Sequence, residues 1–171
     1  CQPGLKSLLQ SIPTVEQVVE QGETIPEVDY KLPMMSAPLV FGITPENIPI
    51  GANDRYLTAP AAEGIHSDGR LKVGLVWAGR DRSVLNNRSL PSPMLRKLFQ
   101  QTEGLIEWFS LQKDEPAEAA EIITTTPNVS RTTSQISDFE STAQLVNAMD
   151  LVVTIDTAMA HLAGALGQRT W

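Results

Sequence analysis

Residues 151–167, Leu-Val-Val-Thr-Ile-Asp-Thr-Ala-Met-Ala-His-Leu-Ala-Gly-Ala-Leu-Gly, constrain the fold more than any other stretch of the chain. Residues 151–155 form a short apolar run rich in β-branched residues, which predicts a strand buried on both faces. Asp156 and Thr157 follow at once, and both are residue types that cap helix N-termini. The residues after them are nearly all good helix formers, and Gly167 is placed to end the helix. The segment therefore predicts a strand, a tight turn and a helix.

A strand, a turn and a helix in this order predict where a ligand would bind. In an open α/β sheet, ligands lie outside the carboxyl ends of the strands, where helix N-termini direct N–H groups and a partial positive charge outward. Such a position suits a phosphate, and small side chains at Ala158 and Ala160 would let it approach the backbone. The alternative is a core strand and a packed helix, with Asp156 as a plain cap and His161 as a satisfied buried histidine. The segment by itself leaves both interpretations open.

The same segment resembles a known motif. Residues 156–158 (Asp-Thr-Ala) and 161–165 (His-Leu-Ala-Gly-Ala) resemble the donor-site motif of heptosyltransferase-type glycosyltransferases. They are more similar still to the related domain of bacterial tetratricopeptide-repeat glycosyltransferases. In those proteins the backbone and the Asp and Thr side chains hold the nucleotide diphosphate of a sugar donor. The resemblance implies donor contacts in this segment.

The connection at residues 78–91 is long for a loop between a strand and a helix, and long ordered loops are often functional. It contains three arginines and two asparagines, although the chain as a whole is acidic. Arginine side chains suit bidentate contacts with phosphate, whereas the alternative is a solvated surface loop. The Gly-Lys-Ser/Thr ending of a P-loop and the Gly-x-Gly-x-x-Gly dinucleotide fingerprint are both missing from it.

This loop also resembles the tetratricopeptide-linked transferases, through residues 73–79 (Val-Gly-Leu-Val-Trp-Ala-Gly) and 87–91 (Asn-Arg-Ser-Leu-Pro). Arg88 falls where heptosyltransferases place a basic residue against the donor diphosphate. Residues 110–113 (Ser-Leu-Gln-Lys) are a third match, which would face the nucleotide base or ribose. The donor site that the resemblance implies consists of Arg88, Asn87, Gln112, Lys113, Asp156, Thr157, Ala158 and His161.

Composition limits the partners and the cofactors. Of the 171 residues 42% are hydrophobic and 19% are charged, as in ordinary soluble globular proteins. A net charge of −7 argues against a nucleic-acid binder, which would need a basic face. The single cysteine, Cys1, excludes an intrachain disulfide and a zinc site of several cysteines. Without a run of 18 apolar residues we expect no membrane span, and without a visible signal peptide we expect a cytoplasmic protein. We expect no metal or other cofactor, because no cluster of carboxylates is evident.

The chain divides into three parts. We predict that residues 1–57 are the remnant of an amino-terminal Rossmann-like domain, with a helix over 3–12 and strands at 15–19 and 28–32. Residues 58–70 are predicted to be a linker, within a stretch rich in Pro and Gly. Residues beyond 70 are predicted to form a nucleotide-sugar-binding Rossmann-like domain, 71–171, that is incomplete at its carboxyl end. We therefore expect the sequence to be a fragment.

Regular alternation begins at Leu71. One helix is predicted to begin after Ser92, the expected N-cap, with Pro93 at its first position. A second is predicted over residues 117–123, and a third begins with a capping box that starts at Ser141. Strands are predicted over residues 71–77, 105–111, 129–133 and 151–155. Alternating strands and helices imply an α/β fold with a doubly wound parallel sheet. With the resemblance, this predicts the carboxyl-terminal half of a GT-B glycosyltransferase.

The resemblance implies an enzyme that moves a sugar from a nucleotide-sugar donor to a glycan or protein acceptor. Backbone N–H groups and Arg88 would stabilise the departing diphosphate electrostatically. Inverting relatives take their catalytic base from early loops of the amino-terminal domain, so no catalytic residue is named and the fragment is expected to be inactive alone. Asp156 suits a cap better than a base, because the positive end of a helix dipole stabilises an ionised carboxylate. Glu118 would either bind ribose hydroxyls or lie on a solvated helix face.

Two other classes of function stay open. The chain would serve equally as a non-catalytic nucleotide-binding or protein-interaction module that docks a partner on its acidic face. A sugar-nucleotide epimerase of similar two-domain architecture is the third possibility, and it would need further acidic and histidine residues between the domains.

Overall fold

The computed structural model describes residues 1–48, 55–79 and 88–171. Two short helices precede a regular run of strands and helices. The elements in chain order are α1 (Lys6–Gln10), α2 (Ala37–Val40), β1 (Leu71–Val76), α3 (Ser92–Gln101), β2 (Ile106–Ser110), α4 (Ala117–Thr125), β3 (Val129–Arg131), α5 (Phe139–Asn147), β4 (Leu151–Thr154) and α6 (Ala158–Ala165). Single 3-10 turns lie at Met34–Ser36 and Thr133–Gln135.

The four strands form one parallel sheet in the order β3-β2-β1-β4. Val73 on the central strand β1 is the register partner of Trp108 on β2 and of Leu151 on β4. On the outer side of β4, Val152 forms a parallel bridge with Thr170. The predicted parallel α/β sheet is therefore confirmed.

Helices cover both faces of the sheet, which confirms the doubly wound arrangement. On one face, Val73 and Leu75 of β1 pack in a cluster with buried side chains of α3 and α4. On the other, Val76 and Val152 pack in a cluster with buried side chains of α5 and α6. The chain order of the strands reverses between β1 and β4. Ligands of doubly wound sheets bind outside the carboxyl ends of the strands at such a reversal.

Gly74 lets the central strand approach its neighbours closely. A Cβ atom at this position would lie 2.5 Å from Cδ1 of Leu111 and 3.1 Å from Cγ of Met149, both of which are buried. A side chain here would overpack this face of the sheet. Leu111, which directly follows β2, packs into the space that a side chain at position 74 would fill.

The predicted starts of two helices are wrong. Helix α5 begins at Phe139, with Asp138 as its N-cap, because Asp138 and Ser141 form the capping box and Ser141 is its second member rather than its first. The side chain of an aspartate caps as well as that of a serine, so the chain enters the helix three residues earlier than expected. For α3 the N-cap is Pro91, whose extended backbone (φ −62°, ψ 140°) directs the chain into the helix one residue before the predicted cap.

The predicted burial of β4 on both faces is also wrong. Val152 is fully buried against α5 and α6, whereas Leu151 and Val153, on the opposite face, are only partly buried. Beyond β4, the described residues continue the sheet only as the pairing with residues 169–171. Fewer neighbours therefore cover this strand than cover β1.

The amino-terminal residues depart from the prediction. The helix expected over 3–12 is present but shorter, as Lys6–Gln10, and its Leu8 is buried in the cluster beneath α5 and α6. The strands expected at 15–19 and 28–32 do not form, because those residues have no neighbouring strand to pair with in the part of the chain described. The division into domains stays a prediction.

Across residues 1–48, 55–79 and 88–171, no helix combines the length and the hydrophobicity needed to cross a membrane.

Candidate functional site

Arg88 and Asp156 meet at the reversal between β1 and β4. Arg88 precedes α3, and its Nη1 donates to the backbone oxygen of Asp156 at 2.9 Å and lies 3.6 Å from Oδ2 of the same residue. The backbone N–H of Leu90 donates to the oxygen of Trp77, which ties this end of the connection to the end of β1. Arg88 therefore contacts the turn after β4, although neither Arg88 nor Asp156 lines the cleft described below. Predicted site residue Asn87 lies outside the described residues.

The N-terminus of α6 is capped by Thr157 and not by Asp156. Thr157 has extended backbone (φ −143°, ψ 177°), and its hydroxyl accepts the N–H of Met159 at 3.3 Å. The carboxylate of Asp156 is 80% exposed and takes no part in the cap, so the expectation that this residue caps the helix is wrong. Ala158 is exposed at the first helical position. The helix end therefore carries a neutral cap and small side chains.

A cleft of about 300 Å³ opens at this edge of the sheet, at the lower end of the range of about 300–1,000 Å³ that is typical of ligand pockets. It extends from the N-terminus of α6 across the ends of β1 and β2 to the N-terminus of α5. Of the predicted site residues, Gln112, Lys113, Thr157 and Ala158 line it. Its other lining residues are Pro3, Gly4, Val76, Ala78, Gly79, Leu111, Asp114, Ile136, Ser137, Asp138, Phe139, Thr142, Met159 and Leu162.

Gln112 fastens the floor of the cleft. Its Oε1 accepts the N–H groups of Trp77 and Ala78 at 3.2 and 3.0 Å, and its Nε2 donates to the oxygens of Ala78 and Asp114. The residue is buried, so these bonds join the end of β1 to the end of β2 in a shielded environment. The side-chain amide therefore holds backbone in place, a role that the sequence did not indicate.

Lys113 and Asp114 are exposed at the rim of the cleft, and Nζ of Lys113 donates to the oxygen of Ser137 at 3.4 Å. The turn that carries them is held by Glu115, whose side chain is only 2% exposed and pairs with Arg131 at 2.8 Å. Ser110 and Thr133 both donate to Oε1 of Glu115, each at 2.7 Å. A buried carboxylate thus holds the rim in place, a role that the sequence did not indicate.

Two other candidates lie away from the cleft. His161 is exposed on α6 and does not line the cleft, so the core-packing alternative for this residue is wrong. Its donor role stays a prediction. Glu118 lies exposed in the first turn of α4, on the solvated face that the second alternative described.

The N-terminus of α5 forms a wall of the cleft that the sequence did not predict. The carboxylate of Asp138 accepts the N–H of Ser141 at 2.8 Å, and the N–H of Phe139 donates to the oxygen of Gly4 at 3.0 Å. The hydrogen bond from the Ser141 backbone is the main cause that holds the pKa of Asp138 below its ordinary value. The sequence did not predict this wall, because it indicated that α5 begins at Ser141, three residues later.

The described residues place no group of three or more His, Cys, Asp and Glu side chains in an arrangement that could hold a metal ion. The site instead offers an arginine, two helix N-termini and an apolar cleft with a polar rim. These groups suit an anion attached to a larger, partly apolar molecule.

Comparison with known proteins gave one family match. Residues 93–170 match the model of glycosyltransferase family 9 (heptosyltransferase). The matched range contains Gln112, Lys113 and the whole segment around α6, and it begins after Arg88. None of the curated proteins compared with the chain matches it.

Two solved structures of Escherichia coli heptosyltransferase WaaC are similar to the chain. The structure with ADP-2-deoxy-2-fluoro heptose is 18% identical, with a TM-score of 0.49, and the match covers 63% of this chain and 33% of that one. The structure with ADP is 21% identical, with a TM-score of 0.47, and the match covers 60% and 33%. The chain thus corresponds to about a third of the length of these structures. The family match over residues 93–170 confirms the resemblance to heptosyltransferase-type glycosyltransferases for this part of the chain; the closer relation to tetratricopeptide-linked transferases stays a prediction.

Proposed function

We propose that this chain supplies the donor-binding part of a glycosyltransferase that transfers a sugar from a nucleotide-sugar to a glycan or protein acceptor. The observation that carries the proposal is the meeting of Arg88 with the turn that begins α6, at the reversal of the sheet and beside the cleft. The family match of residues 93–170 supports it independently.

In the proposed complex, the diphosphate lies at the N-terminus of α6, within reach of Arg88. The ion pair between Arg88 and Asp156 is half-exposed on the arginine side, and exposed pairs contribute only about 0–1 kcal/mol. A charge-assisted contact with phosphate contributes more, about 1.5–3 kcal/mol. Exchanging the exposed ion pair with the Asp156 carboxylate for a contact with a bound diphosphate is therefore favourable, while the hydrogen bond from Nη1 to the Asp156 oxygen holds the arginine at this helix end.

The same groups would assist the reaction. When the bond between the sugar and the diphosphate breaks, negative charge grows on the departing phosphate oxygen. The positive end of α6 and the guanidinium of Arg88 would stabilise that charge electrostatically. This role needs no metal ion or other cofactor from the chain, and it leaves the catalytic base unassigned.

Calorimetric titration of ADP, GDP and UDP into the protein tests the proposal. We expect at least one of them to bind, and Arg88→Ala to weaken that binding about ten- to a hundredfold, since it removes a charge-assisted contact. Arg88→Lys should recover part of the loss, because lysine lacks the planar fork. The matched control is Arg96→Ala, on the exposed surface of α3 and outside the cleft lining. Equal losses in both alanine variants, or no binding at all, would contradict a donor site at Arg88.

A second candidate is a protein-interaction module, and residues 25–48 favour it. Several large apolar side chains in this segment are strongly exposed, among them Tyr30, Met35 and Leu39 at 92%, 92% and 85%. Exposed apolar surface of this kind often marks an interaction site. Loss of nucleotide binding in Arg88→Ala without loss of biological function would support the module, whereas joint loss supports the transferase.

A further inference from the structure

The first 24 residues form a compact unit that packs on α5. Inside this unit the N–H of Gly4 donates to the carboxylate of Glu20 at 3.1 Å, and Lys6 pairs with Glu23 at 2.6 Å. Leu8 lies buried in the hydrophobic cluster beneath α5 and α6, with 2% of its surface exposed. We call residues 1–24 the strap. The strap is therefore fixed both by its own hydrogen bonds and by the core.

The strap also forms one wall of the cleft. Pro3 and Gly4 line the cleft, and the Gly4 oxygen accepts the N–H of Phe139 at 3.0 Å. Gly4 has a φ of +82°, a backbone conformation that other residues rarely adopt, so the turn that brings this oxygen to α5 favours glycine. The cleft consequently combines residues that are far apart in the sequence.

The cleft differs chemically from the place where Arg88 contacts the turn before α6. Its walls include the apolar side chains of Ile136, Phe139 and Met159, and its charged lining residues are two carboxylates and one ammonium group. The carboxylates are those of Asp114 and Asp138, and carboxylates repel phosphate but accept hydrogen bonds from hydroxyl and amino groups. The interior therefore suits an uncharged, partly apolar group with hydroxyls better than it suits a diphosphate.

We propose that the strap forms part of the nucleoside subsite: the base and ribose of the bound nucleotide occupy the cleft against Pro3 and Gly4, while the diphosphate lies at the N-terminus of α6. This inference rests on the proposed donor function. It adds a wall from residues 1–24, which lie outside the part of the chain that matches the family.

Substitutions of Pro3 test this subsite, with ADP, GDP, UDP and inorganic pyrophosphate as probes in calorimetric titration. Pro3→Trp places a bulky side chain at the cleft wall and should change the affinity for the nucleoside diphosphates at least tenfold. Pyrophosphate, which has no nucleoside, should bind within twofold of its affinity for the unmodified protein. The matched control is Ser7→Trp, on an exposed position of the strap that does not line the cleft. It should leave every affinity within twofold.

The outcomes separate this inference from the proposed function. A selective change for nucleoside diphosphates, in either direction, supports the strap as a wall of the subsite. Unchanged affinity in Pro3→Trp, or equal losses for pyrophosphate and nucleoside diphosphates, overturns it while the donor site stands. Failure of all four probes to bind the unmodified protein overturns both. If Pro3→Trp does not fold, Pro3→Ala replaces it, with a selective change of at least threefold expected and unchanged affinity as the contradicting result.

Discussion

The N-termini of α5 and α6 lie at the same cleft but differ in the groups that accept hydrogen bonds from their N–H groups. At α5 an ionised carboxylate, a serine hydroxyl and the oxygen of Gly4 already occupy the helix end. At α6 the cap is the neutral hydroxyl of Thr157, and the first helical residue is an exposed alanine. A capping carboxylate offsets the positive end of the helix dipole, whereas a capping hydroxyl does not, and the carboxylate of Asp156 before the α6 cap pairs with Arg88. The comparison teaches that a helix end is available to an anion only where the chain has not supplied one.

The largest expected effect comes from making α6 resemble α5. Thr157→Asp keeps a good capping residue but puts a negative charge where the diphosphate is proposed to bind. We expect the affinity for nucleoside diphosphate to fall at least about a hundredfold, close to 3 kcal/mol. The fold should gain about 0.3–1 kcal/mol from the dipole. Calorimetry and urea denaturation measure the two effects.

The matched control is Thr157→Asn, which is an equally good cap without the charge. It should retain most of the affinity. A loss as large as that of the aspartate variant would mean that the hydroxyl itself, and not the uncompensated positive end of the helix, determines binding.

Removing the caps should separate stability from binding. Asp138→Ala eliminates the carboxylate half of the capping box and should lower the free energy of unfolding by about 1 kcal/mol, within the range of 0.5–2 kcal/mol for N-caps. Thr157→Ala loses a longer hydrogen bond, 3.3 Å, and should cost about 0.5 kcal/mol. Pyrophosphate affinity should stay within twofold in the Asp138 variant. A larger gain of affinity there, on removal of this negative charge, would place the anion at α5.

Much of the fold follows from local patterns, and the points that escaped prediction follow from long-range contacts. The sequence predicts the four strands of the sheet and the end of α6 at Gly167 (φ +68°), because β-branched runs and helix-ending glycines are local signals that span a few residues. By contrast, Asp138 and Ser141 are both capping residue types, and the sequence does not show which of them begins α5. Residues 28–32 form no strand because no strand lies beside them in the part of the chain that the structure describes, which their own sequence does not indicate.

In the candidate site, too, local patterns predicted some features and long-range contacts determine the others. Arg88 and Asp156 both belong to the predicted donor site, both follow carboxyl ends of strands in a parallel sheet, and they are in contact. The position of Pro3 at the cleft depends on the packing of residues 1–24 against α5, a contact that links positions more than 130 residues apart. No pattern within either segment indicates it. Likewise, the internal bonds of Gln112 depend on the spacing of β1 and β2 and not on its neighbours in sequence.

The smallest expected effect is a pH dependence confined to α5. Because the folded-state pKa of Asp138 is lowered, its contribution to stability is present above the ordinary aspartate pKa of about 3.9 and is lost as the pH falls through the folded value. The variant Asp138→Asn keeps a cap that does not titrate. The stability advantage of the unmodified protein over this variant should therefore shrink between about pH 5 and pH 2. Urea denaturation across this range measures it, and a constant difference would show that the carboxylate charge contributes nothing.

The most direct test of the account is to observe the two helix ends while an anion binds. In a nitrogen-15 labelled sample titrated with pyrophosphate, the backbone amide signals report each N–H group separately. We predict saturable shifts that are largest at Ala158, Met159 and Ala160 and small at Phe139, Glu140 and Ser141. Shifts that are largest at α5, or shifts that never saturate at either helix, would contradict the claim that the open N-terminus of α6 is the anion site.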